Sequence, residues 1–171
     1  MPGQYYLSRD ETIVAVLGSG VAVCIRDRAQ GLGGVTHVLE PETTQGMGSS
    51  LALPALRTLL EALQAAGAQR DQLEAKLFGG ACPRGETDAI GARSLAVARA
   101  FLREAGVPIV AEDVGGSYPR KIDYCPADGR VRIKRLRDLR NATIAERDLS
   151  FLGQSADGLP TPRYCQPSRQ G

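Results

Sequence analysis

Two side chains near the start of this 171-residue chain could carry out nucleophilic chemistry together: the thiol of Cys24 and the imidazole of His37, the only histidine. Such a pair suits acyl transfer, in which the imidazole first accepts the thiol proton, the thiolate attacks a carbonyl carbon, and the imidazolium then assists the leaving group. Cysteine fits the role because it is appreciably ionised near neutral pH and intrinsically nucleophilic. A hairpin centred near Gln30 would set Cys24 opposite His37, and cross-strand neighbours approach to about 5 Å. Each residue also has a plainer reading, Cys24 as a small buried apolar side chain and His37 as a structural or surface residue of a β-rich segment. Gly18-Ser19-Gly20 resembles the start of a dinucleotide fingerprint, but no third glycine stands at Val23 and no helix opens there. Cys82, Cys125 and Cys165 are widely spaced, form no Cys-x-x-Cys pair and have one histidine to help them, so reduced thiols and no zinc site are expected.

The elements that must position these residues show in the periodicity. Ile13–Leu17, Val21–Ile25 and Val35–Leu39 are short apolar runs separated by glycine turns, which predicts strands, with residues 28–34 as a hairpin loop. From Ser50 the period becomes helical, with Leu53, Leu56, Leu59, Leu60 and Leu63 on one stripe, Pro54 early and Gly67 as the stop. Leu73–Phe78 reads as a strand, Ile90–Glu104 as a second amphipathic helix closed by Gly106 and Pro108, and a strand begins at Ile109. Arg120–Tyr124 and Val131–Leu136 flank Asp128-Gly129 as a hairpin. Residues 1–139 are expected to form one domain and residues 140–171 a partly disordered extension, with a short helix over Ile144–Leu152.

Composition agrees with a globular domain: 43% of residues are hydrophobic and mean hydropathy is −0.17. No apolar run approaches the roughly 20 residues that span a bilayer, and no basic-then-apolar leader opens the chain, so a cytoplasmic protein without membrane insertion is expected. A net charge of +2 gives no long-range attraction for nucleic acid. The local cluster Arg130, Arg132, Lys134, Arg135, Arg137 and Arg140 alternates with Val131 and Ile133. It reads as a solvated strand face, or as a surface for an acidic protein; it lacks the interleaved aromatics that stack bases.

A series of short motifs runs from Thr12 to Arg135: Leu17-Gly18-Ser19, Val21-Ala22-Val23, Gly33-Gly34 with His37, Lys76-Leu77-Phe78-Gly79-Gly80-Ala81, Ile90-Gly91, and Asp113-Val114-Gly115-Gly116. Their content and order resemble the chemoreceptor glutamine deamidases of the CheD type. That resemblance implies an α+β domain of packed β-sheets flanked by two main helices. It also implies a reaction without cofactor or metal, hydrolysis of glutamine side chains on the helices of methyl-accepting chemotaxis receptors. The family's signature is a threonine, then Leu-Gly-Ser-Cys-Val-Ala-Val, then a histidine seventeen residues after the cysteine. His37 falls on the base, Gly20 on the nucleophile and Val14 on the threonine that helps orient the histidine. The family's Ile-Gly-x-x-Asn becomes Ile90-Gly91-Ala92-Arg93-Ser94, so Ser94, with Ser19, is expected at the substrate-binding surface.

Glycine carries no atom that could attack, and loss of a nucleophile costs on the order of 10⁶ in rate in the best-dissected protease. Several readings therefore stand side by side. The chain could be a deamidase by descent with hydrolysis lost or severely weakened. It could be a non-catalytic adaptor that binds receptors or a CheC-type phosphatase, a residual amidase using Cys24, or a sequence engineered or miscopied at the nucleophile.

Overall fold

Val21 to Ile25 is an unbroken apolar run, and such a run can be a strand only if both of its faces are covered. The computed structural model, which describes residues 4–40, 50, 52–82 and 89–137, covers both. Its described elements are β1 (Tyr5–Ser8), β2 (Ile13–Leu17), β3 (Val21–Asp27), β4 (Leu32–Val38), α1 (Ala52–Ala65), β5 (Leu73–Gly79), α2 (Ala89–Glu104), β6 (Ile109–Val114), β7 (Arg120–Tyr124) and β8 (Val131–Arg135). Five strands form one sheet in the order β1-β4-β3-β5-β6, and three form a second in the order β2-β7-β8. All pairings are antiparallel except β5 with β6, whose parallel crossover is α2.

Alternation along β3 feeds two cores. Val21, Val23 and Ile25 pack with Leu56, Leu59 and Leu63 of α1 and with Leu102 of α2, while Ala22 and Cys24 pack with Phe78 of β5 and with Leu17, Ile122 and Tyr124 of the smaller sheet. The result is three layers, helices on the five-stranded sheet and that sheet on the three-stranded one. This is the expected α+β arrangement. No helix among the described residues is long and apolar enough to cross a membrane.

The hairpin loop is shorter than its composition predicts. β4 begins at Leu32, leaving residues 28–31 as the turn, and Gly33 and Gly34 lie inside the strand. Glycine is needed there for close approach: a Cβ on Gly34 would come within 2.6 Å of the Tyr6 carbonyl oxygen and 2.8 Å of Leu59. The intruder is β1, which the sequence reading did not anticipate and which pairs with β4 at that point. The proposed helix over 144–152 and the extension from residue 140 lie outside the described residues.

Candidate active site

The bend Gly18-Ser19-Gly20 carries the chain from the smaller sheet into the larger one. Two N–H groups from the end of β5 hold it: Gly80 donates to the Gly20 carbonyl at 2.9 Å and Ala81 to the Gly18 carbonyl at 2.9 Å. For this the chain must turn through Gly79 at φ +109° and Gly80 at φ +64°, a region that side chains disfavour. A third glycine turn closes on the second, with Gly115 donating to the Gly79 carbonyl at 2.8 Å and Cys82 to the Gly116 carbonyl at 2.8 Å. α2 reaches the same point through Gly91, where a Cβ would come within 3.0 Å of the Gly80 carbonyl oxygen. Motifs scattered over a hundred residues of chain thus meet at one floor.

Above the floor, register fixes which side chains face one another. Ala22 pairs with His37 and Cys24 with Val35, so the hairpin is centred half a residue before Gln30, and the juxtaposition of Cys24 directly opposite His37 does not occur. The turn that sets this register is stitched by Asp27, whose carboxylate accepts the N–H groups of Ala29 at 2.8 Å and Gln30 at 2.9 Å. Ala22, Cys24, Val35 and His37 share the face turned toward the smaller sheet. Along that face the imidazole leans toward the bend. A Cβ built on Gly20 would overlap Nε2 of His37, and would lie 2.8 Å from Cε1 of His37 and 2.6 Å from Cδ1 of Leu39. Gly20 and His37 are therefore brought together, and the ring stands in the space a side chain at position 20 would need.

The other candidates are placed apart from this pair. Cys24 is 1% exposed in the inter-sheet core, and burial pushes its thiol far above the ordinary range, with the charge of Lys76 opposing only in part. Val14 is 56% exposed, on the face of β2 opposite to Ile13, Ala15 and Leu17, which pack inward. A side chain at position 14 consequently points to solvent outside the smaller sheet, while His37 points at that sheet from the other side. Ser19 is buried within the bend. Ser94 is fully buried in α2, where its hydroxyl donates to the Ile90 carbonyl at 2.7 Å and accepts the Glu40 N–H at 2.8 Å. A hydroxyl at this position thus donates and accepts at once: the donation stays within α2, and the acceptance joins α2 to the end of β4.

Comparison with known proteins points the same way as the motif series. Residues 41–135 match the family model described as CheD chemotactic sensory transduction. The chain is also 40% identical over 160 residues to the "Probable chemoreceptor glutamine deamidase CheD" of Thiobacillus denitrificans, covering 88% of this chain and 79% of that protein. Proteins of the same name from Herminiimonas arsenicoxydans and Hydrogenovibrio crunogenus are 39% and 38% identical, covering 88% and 89% of this chain and 79% and 84% of theirs. The chain belongs to the CheD family.

Within this CheD domain two residues matter that the sequence reading passed over. Arg120 of β7 is 3% exposed and reaches across the layers: its guanidinium donates to the carbonyls of Gly79 at 2.7 Å and Gly115 at 2.6 Å and pairs with Asp113 at 3.0 Å. Glu40 caps α1, accepting the Ala52 N–H at 3.1 Å and the Ser50 hydroxyl at 2.6 Å. Arg120 gave a signal in sequence only as the first residue of the predicted Arg120–Tyr124 strand, and Glu40 gave none, because its helix begins twelve residues later.

Proposed function

We propose that this CheD-family chain is a chemotaxis protein that recognises glutamine side chains on the helices of methyl-accepting receptors, with hydrolysis to glutamate lost or severely weakened. The observation that carries this reading is the overlap of His37 with the side-chain position of Gly20. Deamidation needs a thiolate within reach of the amide carbon and an imidazole beside it to move protons. Here the base lies where the attacker would begin. Imidazole alone, acting on an unstrained amide through water, forfeits covalent catalysis. Cys24 is a poor replacement, being buried, held in its protonated form and paired with Val35.

Receptor recognition is supported by the relatives' shared name and by the floor itself, whose glycine turns remain clamped although no nucleophile stands above them. That combination also favours a second reading, an adaptor that docks on receptors or on a CheC-type phosphatase without chemistry. Incubation of the purified chain with receptor cytoplasmic fragments, followed by mass spectrometry for conversion of glutamine to glutamate, tests the proposal. The expected outcome is co-sedimentation with the fragments and no conversion above that of a His37→Ala control. Turnover that disappears in Cys24→Ala would transfer the chemistry to Cys24, and rapid turnover that survives it would defeat the reading.

A further inference from the structure

β8 ends the smaller sheet, bonded to β7 on one side and to no other described strand on the other. Its inner face contains an anomaly. Ile133 pairs in register with Ile122, which is fully buried, and the two must share a face; yet Ile133 is 38% exposed. The sheet therefore overhangs its core at this edge, leaving an apolar side chain on the core-facing side in water. On the outer face of the same strand Arg132 and Lys134 are both exposed. Among the described residues the strand thus presents an unpaired row of backbone donors and acceptors, with Ile133 inward between Val131 and the Asp113-paired Arg135, and two cations outward.

We infer that the edge of β8 to which no other described strand is bonded is a docking strand for an extended protein segment in which apolar and acidic residues alternate. Such a segment would add to the sheet by main-chain hydrogen bonds. Its inward residues would cover Ile133 and its outward carboxylates would lie beside Arg132 and Lys134, where opposite charges on neighbouring strands are favourable. Charge selects this occupant over a second copy of the chain. Two β8 edges brought together would set arginine and lysine against their own kind, and the same cations that blunt self-pairing at an edge attract a strand of opposite sign. A purely protective edge would have no reason to leave Ile133 uncovered.

The test uses the full chain, isotopically labelled, and an acetylated octapeptide alternating glutamate with valine. Binding is expected to shift the amide resonances of Val131–Arg135, to slow their hydrogen exchange, and to weaken as salt rises. Arg132→Glu with Lys134→Glu, both exposed and so tolerated by the fold, should lower affinity by about tenfold or more, equivalent to about 1.4 kcal/mol. Equal binding of a lysine–valine octapeptide, resonance shifts elsewhere, or indifference to the charge reversal would overturn the proposal. So would displacement of the peptide by a single-stranded oligonucleotide of similar or higher affinity, which would make the strip a phosphate surface. Binding seen only after residues 138–171 are removed would assign the edge to the chain's own continuation and equally overturn it.

Discussion

His37 and Gly20 compete for one volume, and the competition can be measured. Gly20→Ala adds only a Cβ, the atom that overlaps the ring, so it should destabilise the fold by about 1–3 kcal/mol, the usual cost of overpacking a well-filled site. In a His37→Ala background the same change should cost far less, and the difference is the coupling energy of the pair in a denaturant double-mutant cycle. Costs that simply add would mean that the ring moves aside without resistance. The identity of this pair was legible in the sequence only through the resemblance to the CheD signature, whose spacing ties position 20 to position 37. The direction of each side chain was not. Val14 and Cys24 sit at plausible distances along the chain, but strand parity turns the first outward to solvent, and the two-residue offset between Cys24 and the partner of His37 separates the second.

Among the elements, the β3–β4 hairpin decides whether that register holds, and Asp27 is its fastener. The carboxylate also accepts the Gln69 N–H at 2.8 Å, which ties the turn to the segment after α1. Burial works to raise the pKa of Asp27, but the N–H groups of Gln69, Gln30 and Ala29, with the charge of Arg9, hold it below the ordinary carboxylate range. A carboxyl depressed in the folded state contributes stability that is present above its unfolded pKa of about 3.9 and is lost as pH falls through the folded value. Asp27→Ala should cost about 1.5–3 kcal/mol at pH 7. Its deficit relative to the unmodified chain should shrink in urea titrations carried below about pH 4. Most of the elements were readable from period and punctuation: both helices, the strand after Gly67 and the 120–135 hairpin stand close to where the pattern puts them. β1 was not readable, since Tyr5–Ser8 is too short for a period. It becomes a strand only because Gly33 and Gly34, which look like turn residues in isolation, leave room for it on β4.

At the scale of the whole molecule, the buried guanidinium of Arg120 on the smaller sheet ties together the glycine turns at Gly79 and Gly115 at the end of the larger one. Arg120→Met keeps the length and apolar stem but removes every donor, leaving the Gly115 carbonyl and one side of Asp113 unanswered and the Gly79 carbonyl with the Gly115 N–H alone. The expected loss is about 3–5 kcal/mol by thermal or denaturant unfolding, and Arg120→Lys should recover little of it, because one ammonium cannot reproduce a fork aimed at three oxygens. A stability change within about 0.5 kcal/mol would remove Arg120 from this role. The separate motifs were visible in the sequence, but their convergence was not, since nothing in linear order says that residues 18–20, 79–81 and 115–116 close on one another. The filled space at Gly20 also bears on what this position can accept. Any side chain placed there would arrive in a space already held by the His37 ring and a Leu39 methyl, so a change at position 20 is accommodated only with a movement at position 37, and the two positions behave as one unit of substitution.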